Sequence, residues 1–212
     1  MVVFAPGVSY NNLQIKSPTG LRIVIPRSNI QNAMSLVGTN NIASVQWGLQ
    51  IYVCPQSNPA CTTPTEAGEV DLIYNGSQFL LQLIITNYYA STPITLQYEF
   101  PEDLSNITDA IIDIYFDGEN LTIDGNSKEI FNSDMLKPIG SVQQLTSTSA
   151  YLDSSGKTVS GNNDYLTFNV QILPVVNLSK ILDIIIPLIL VLPVIFMLPK
   201  IISKIKPAQQ QY

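Results

Sequence analysis

Short runs of apolar and β-branched residues recur along most of the chain and are bounded by turn-forming residues. In the run 43–53, the apolar side chains from Val45 to Val53 occupy every second position. This period of two is typical of a β-strand with one buried face. Five further runs of similar length and composition also predict strands, at residues 21–25, 78–86, 94–100, 110–116 and 165–173.

Three dipeptides between these runs predict hairpin turns, because Asn-Gly and Asp-Gly pairs tolerate the positive φ angles that tight turns require. They are Asn75-Gly76, Asp117-Gly118 and Asp124-Gly125. One short helix of about ten residues is also predicted, with Ser28 as its N-cap and Gly38 as its stop signal. Ile30, Met34 and Val37 would form its inward face.

Roughly eight to ten strands with one short helix indicate a mainly β fold, a single β-sandwich or jelly-roll domain over residues 1–178. The strand order does not follow from the pattern. The segment 141–163 is polar and rich in Ser, Thr and Gly. It predicts a long exposed hairpin.

A different pattern begins after this domain, where residues 184–198 contain neither a charged nor a polar side chain. Extended to 181–199, the run would span roughly 28 Å as a helix, close to the ~30 Å hydrocarbon core of a bilayer. A buried core segment is the alternative, but the flanking lysines favour a transmembrane helix over residues 179–200, followed by a short basic tail at 201–212. The residues that define this anchor are Ile184, Pro187, Pro193, Phe196, Leu198 and Lys200.

The prolines of this run would kink a helix and free backbone carbonyls. Neighbouring helices can satisfy those carbonyls in lipid, which favours a homo-oligomeric ring over a lone helix. Residues 1–6 lack the basic leader of a signal peptide. We therefore expect a tail-anchored chain with its basic end inside and its β domain outside, a topology that suits the membrane of a virion.

The charge distribution excludes several classes of function. The chain has 10 Lys and Arg, 16 Asp and Glu, and no His. No basic residue occurs between Ser28 and Ser127, so the body lacks the positive surface that nucleic-acid binding requires. Without His, the Ser-His-Asp and Cys-His catalytic designs and most zinc sites are excluded. We expect neither enzymatic activity nor a cofactor.

Two features indicate covalent modification. Cys54 and Cys61, the only cysteines, flank a short Pro-containing loop and predict a disulfide in an oxidising environment, with two free thiols as the alternative. Four Asn-X-Ser/Thr sequons offer possible glycosylation sites. They begin at Asn75, Asn106, Asn120 and Asn177, of which Asn75 and Asn120 lie beside predicted turns.

Acidic residues are densest between Asp109 and Asp124. A calcium loop would require a ligand where Tyr115 stands, so the match to that motif fails. A glycosidase-type pair of carboxylates is compatible with the spacing, but nothing distinguishes two of these acids. A meander with Asp-Gly turns accounts for the run without a metal.

A low-charge β domain rich in Ile, Asn, Thr and Tyr, a C-terminal apolar anchor and the basic tail 200–212 together resemble membrane-anchored virion proteins of viruses that infect hyperthermophilic, acidophilic archaea. Tail nozzle and penton (vertex) proteins are the most similar in layout. The resemblance implies a jelly-roll-like fold, ring-forming oligomers and other virion structural proteins as partners. The alternative is an anchored binding protein of a cell envelope or surface layer, with the β domain outside and the tail inside.

Overall fold

The computed structural model describes residues 1–58, 61–86, 92–101, 109–116, 120–134 and 139–173. Antiparallel strands dominate this part of the chain. In chain order they are β1 (Val2–Phe4), β2 (Ser9–Tyr10), β3 (Ile15–Lys16), β4 (Thr19–Pro26), β5 (Ser44–Pro55), β6 (Thr65–Tyr74), β7 (Phe79–Ile85), β8 (Ile94–Glu99), β9 (Asp109–Phe116), β10 (Asn120–Gly125), β11 (Lys128–Asp134), β12 (Ile139–Ser147), β13 (Ala150–Leu152), β14 (Thr158–Val159) and β15 (Phe168–Leu173).

These strands form two sheets, which confirms the predicted mainly β sandwich. The six-stranded sheet has the order β1-β15-β4-β9-β10-β11. The nine-stranded sheet has the order β14-β13-β5-β6-β7-β8, and β12 pairs with the second half of β5 as well as with β2 and β3. The strand β5 therefore has two successive partners on one side, β13 at its start and β12 towards its end.

The alternation in β5 explains how the core is built. Val45, Trp47 and Leu49 are buried. Gln46 and Gln50, at the alternate positions of the strand, lie on the opposite face of the sheet. Strands of the six-stranded sheet contribute the facing apolar side chains in the same way, such as Leu21, Ile23 and Ile25 of β4. Burying these side chains contributes about 1.5–3 kcal/mol each and is the main stabilising term of the fold.

The large aromatic side chains of the core have partners for their polar atoms. Nε1 of Trp47 donates to the carbonyl of Tyr165 at 3.0 Å, and the hydroxyl of Tyr151 donates to the carbonyl of Asn162 at 2.9 Å. Within the described ranges, every buried side-chain nitrogen and oxygen has a hydrogen-bond partner. This satisfaction matters because an unpaired buried polar group costs about 1–3 kcal/mol.

The helix α1 (Arg27–Met34) begins one residue before the predicted N-cap and ends before Gly38. Pro26 takes the N-cap position, and the backbone N–H of Arg27 bonds to the carboxylate of Asp109 instead of to Ser28. A cap supplied from a distant strand is not visible in the local sequence. Ile30 is buried as predicted.

The predicted exposed hairpin at 141–163 is wrong in its first part. The strand β12 occupies residues 139–147 in the interior of the large sheet, with Val142 and Leu145 in the core. The polar composition of this strand does not reveal its interior position, which arises because β5 pairs with one of its edges and β2 and β3 pair with the other. The turn predicted at Asp124-Gly125 lies at Asn126 and Ser127, both of which have positive φ angles.

The chain divides into two units, residues 1–175 and 176–212. The predicted anchor, including Ile184, Pro187, Pro193, Phe196, Leu198 and Lys200, lies outside the described residues. In the part of the chain that the structure describes, no helix is long and apolar enough to span a bilayer.

A carboxyl pair on the outer face of the large sheet

A row of four aligned residues crosses the outer face of the nine-stranded sheet. Gly48 on β5 pairs with Asp71 on β6, Asp71 pairs with Gln82 on β7, and Gln82 pairs with Gln97 on β8. The neighbours of Asp71 in its strand, Val70 and Leu72, belong to the core. The Asp71 carboxyl therefore lies on the face away from the core, although its exposed fraction is 0%.

Amide side chains from the adjacent strands cover this carboxyl. Nε2 of Gln46 donates to Oδ1 of Asp71 at 2.9 Å, and Nε2 of Gln82 donates to Oδ2 at 3.2 Å. The amide of Gln97 in turn donates to Oε1 of Gln82 at 2.7 Å. A chain of hydrogen bonds therefore runs across four strands and fixes the orientation of each amide.

Glu69 lies two residues before Asp71 in β6, so both side chains emerge on the same face of the strand. Burial raises the pKa of Asp71 well above its ordinary value, the negative charge of Glu69 raises it further, and a hydrogen bond between the two carboxyls acts in the same direction. The amides of Gln82 and Gln46 oppose this shift with a smaller effect. The hydroxyl of Thr148 donates to the Glu69 carboxylate.

The absence of a side chain at Gly48 makes room for this arrangement. A Cβ atom at this position would overlap Oδ1 of Asp71 and Oγ1 of Thr148. The backbone N–H of Gly48 donates to Oγ of the buried Ser149 at 3.2 Å. The glycine therefore lets a buried carboxyl and a hydroxyl approach the strand backbone from two sides.

The carboxyl pair is suited to holding a proton. In its protonated form the Asp71 carboxyl has one O–H to donate, which Glu69 on the same face can accept, while its oxygens accept from two amides. The inaccessible Asp71 carboxyl cannot contact a solute unless the covering amides move. The arrangement therefore stabilises a neutral acid within the sheet, as found where like charges share a site.

The acidic run noted in the sequence is dispersed in the structure. Asp113 forms an ion pair with Arg22 on β4, at 2.7 Å from Nε to Oδ1 and 2.8 Å from Nη2 to Oδ2. Burial, with smaller contributions from Asp113 and Glu129, raises the pKa of Asp124. Asp117 and Glu119 lie outside the described residues. Elsewhere in the described ranges too, no three acidic or Cys side chains converge on a common metal position.

The two cysteines form the predicted disulfide. Cys54 and Cys61 are bonded, with their Cα atoms 5.9 Å apart. Cys54 is buried at the end of β5, opposite Ser141 of β12. The bond therefore ties the loop after β5 to the central part of the large sheet.

The sequons differ in their accessibility. Asn75 is exposed in the turn between β6 and β7, where its Oδ1 accepts bonds from the backbone of Ser77 and Gln78. Asn120, expected to be exposed beside a turn, is half-buried as the first residue of β10. Asn106 and Asn177 lie outside the described residues. Of the two described sequons, Asn75 presents the more accessible acceptor amide.

The carboxyl pair lies outside the stretch of the sequence in which acids are densest, so acid density does not indicate it. The relevant signal was the spacing of Glu69 and Asp71 within an alternating run, which places both on one face of a strand. The amides that cover Asp71 come from β5 and β7 and cannot be assigned without the strand order.

No protein-family model and no curated protein sequence matches the chain. Among solved structures, it is similar to galectin-Ib of Xenopus laevis, with a TM-score of 0.42, 11% identity, and coverage of 79% of this chain and 99% of that chain. A toad ovary galectin in complex with thio-digalactose gives a TM-score of 0.43 at 12% identity, with coverage of 80% of this chain and 99% of that chain. A β-glucanase of Bacillus licheniformis gives a TM-score of 0.40 at 10% identity, with coverage of 77% of this chain and 64% of that chain. Such low scores extend neither a ligand nor an activity to this chain.

Proposed function

We propose that the chain is a non-enzymatic structural protein of a virion, in which a β domain is held on a membrane and takes part in an oligomeric vertex or tail assembly. The observation that carries the proposal is the uncharged run 184–198, which follows closely on the last strand of a folded β sandwich. Extended to 181–199, this run is long enough to cross the hydrocarbon core of a bilayer as a helix, which is typical of a membrane anchor.

Two features of the described domain support an environment outside the cytoplasm. The disulfide between Cys54 and Cys61 is of a kind that persists in oxidising surroundings and on the surfaces of virions and cells. The raised pKa values of Asp71 and Asp124 favour the folded state in acid. The first feature suits an oxidising medium and the second an acidic one.

The carboxyl pair supports a structural role over a catalytic one. Asp71 is fully buried beneath Gln46 and Gln82, and the hydrogen bonds that it makes use its oxygens within the protein. A general acid has to come within hydrogen-bonding distance of its substrate. The pair therefore stabilises the sheet in our proposal, and the domain contributes surface and shape to an assembly.

Purified particles from cells that produce the protein provide the test of the virion assignment. We expect the chain to copurify with particles, to be released only when detergent dissolves their membrane, and to give cross-linked multiples of its own mass before that treatment. Recovery from the envelopes of cells that release no particles would instead support an anchored envelope or surface-layer protein, and would contradict the virion assignment.

A further inference from the structure

Exposed apolar side chains gather at one edge of the described domain. Met1, Val2 and Val3 are 82%, 39% and 57% exposed, and Ile172 is 58% exposed. Of the described residues, only one other large hydrophobic side chain, Ile94 at 44%, is comparably exposed. We call the set Met1, Val2, Val3 and Ile172 the β1 edge. Soluble surfaces usually scatter such side chains singly, so a cluster indicates a contact surface.

The geometry of the two strands places these side chains at one edge of the sheet, with Val2 and Ile172 on the face of the core residue Val170 and with Val3 on the opposite face. β1 is the outermost strand of the six-stranded sheet and pairs with β15, with Val2 opposite Val170. Nε2 of Gln171 lies 3.3 Å from Sδ of Met1, which places the start of β1 beside the end of β15. Val2 and Ile172 therefore border the same end of the sandwich.

An open apolar groove adjoins the β1 edge. Its walls include Phe4, Ile15 and Leu145, and no charged side chain lines it. The only polar side-chain atom in its lining is the hydroxyl of Tyr10, which donates to the carbonyl of Val3 at 3.0 Å. Apolar material could cover this surface without removing a charge or an unpaired polar group from water.

The position of the β1 edge along the chain identifies what can cover it. β15 ends at Leu173, and only residues 174–180 separate it from the predicted membrane segment 181–199. Seven extended residues span at most about 25 Å. The exposed Lys16 follows Ile15 of the groove and offers a cation to lipid phosphate groups.

We propose that the β1 edge inserts into the headgroup layer of the same membrane that holds the anchor. The inference rests on the anchor of the proposed function and adds an orientation, with the β1 edge on the bilayer and the Asn75 turn away from it. The Asn75 turn lies near the start of β5, because the preceding residue, Tyr74, pairs with Val45. The groove lies towards the other end of β5, because Leu145 in its lining pairs with Ile51. Because the anchor tethers the domain, even weak insertion is favoured by a high effective concentration.

A single fluorescent label on the full-length chain tests this orientation. The native cysteines are bonded to each other, so Val3→Cys provides one free thiol on the β1 edge. Ser155→Cys is the matched control, because Ser155 is exposed in the turn between β13 and β14, near the start of β5. Each variant carries a polarity-sensitive dye and is reconstituted in phosphatidylcholine vesicles, with and without lipids that bear a quencher near the headgroup.

We expect the lipid quencher to reduce the emission of the Val3→Cys label at least twofold more than that of the Ser155→Cys label, and aqueous iodide to show the reverse order. Equal quenching of both labels by iodide would overturn the inference. Protection of the Val3→Cys label from both quenchers would also overturn it, and would indicate pairing with a second copy. Flotation of the same samples separates the two proposals: a chain that does not float refutes the anchor, whereas a floating chain with its Val3→Cys label in water refutes the insertion alone.

Discussion

Gln46 donates a hydrogen bond of 2.9 Å from its Nε2 to Oδ1 of Asp71, across two neighbouring strands of the large sheet. This contact covers a carboxyl that stands beside a second one, that of Glu69. A sheet that places two acids side by side without a cation is most stable when one of them is protonated. The carboxyl of Asp71 therefore makes the stability of the domain depend on pH.

Substitution Asp71→Asn should flatten the dependence of stability on pH. The pKa of Asp71 is raised in the folded state, so its stabilising effect is complete below the unfolded value of about 3.9 and is lost as the pH rises through the folded value. We expect the wild-type chain to gain stability from pH 8 to pH 4 and Asp71→Asn to gain clearly less. Urea unfolding at several pH values measures both slopes.

Asp153 provides a control, because its pKa is shifted in the opposite direction to that of Asp71. A hydrogen bond from Ser155 lowers the pKa of Asp153, so its stabilising effect is present above the unfolded value and is lost as the pH falls through the folded value. Asp153→Asn should therefore leave the gain between pH 8 and pH 4 unchanged. Equal slopes for Asp71→Asn and the wild-type chain would contradict a protonated Asp71.

Substitution Gly48→Ala should destabilise the domain by about 1–3 kcal/mol, the usual cost of overpacking. The new methyl group would overlap Oδ1 of Asp71 and Oγ1 of Thr148. Ser44→Ala, on the same face and strand, is the matched control. The double variant Gly48→Ala, Thr148→Ala should recover part of the lost stability. If Gly48→Ala lowered the free energy of unfolding no more than Ser44→Ala does, the close approach at this glycine would be refuted.

The disulfide should contribute roughly 2 kcal/mol, because it closes a loop of only eight residues. The variant Cys54→Ser, Cys61→Ser should therefore fold but unfold at lower urea concentration. Peptide mass spectrometry of the unreduced protein should find the two cysteine-containing fragments linked. Complete alkylation of both thiols without prior reduction would show that the bond is absent from the mature protein.

The described domain should keep its β structure in strong acid. Arg22 forms an ion pair with Asp113, but the basic residues of this region are too few to pair with most of its acids, so protonation of the carboxyls removes few favourable charge contacts. With 7 Lys and Arg against 15 Asp and Glu in residues 1–180, full protonation leaves a charge of about +7, a modest repulsion for a domain of this size. Circular dichroism from pH 7 to pH 2 measures this property, and cooperative loss of the β signal above pH 3 would contradict it.

The sequence alone predicts those parts of the fold in which local pattern and tertiary environment agree. The strand β5 shows this agreement, because Val45 to Val53 alternate with outward polar residues and form the centre of the core. The strand β12 does not, since its Ser and Gln residues suggest an exposed segment, whereas pairing with β5 on one edge and with β2 and β3 on the other places it inside the sheet. Very short strands such as β2 exist only through pairing with distant residues, and local propensity carries no signal for them.

The sequence predicts only part of the carboxyl pair, because the rest depends on contacts between distant strands. The alternation Glu69-Val70-Asp71 indicates two acids on one face, but the burial of Asp71 depends on Gln46 and Gln82 from other strands. Arg22 illustrates the same limit, since its partner Asp113 lies 91 residues away. In both cases the decisive contact is set by strand order.

Flotation in a density gradient with preformed phosphatidylcholine vesicles tests the membrane anchor most directly. The samples are the full chain, a chain that ends at Leu173, and the full chain with Val191→Arg or with the matched change Val191→Leu at the middle of the uncharged run. A charge near the bilayer centre costs about 2.5–3.5 kcal/mol on insertion scales. We predict that the full chain and Val191→Leu float, that Val191→Arg floats several-fold less, and that the chain ending at Leu173 stays largely at the bottom as folded protein. Equal flotation of the full chain and of the chain ending at Leu173, or flotation of neither, would contradict a membrane-anchored β domain.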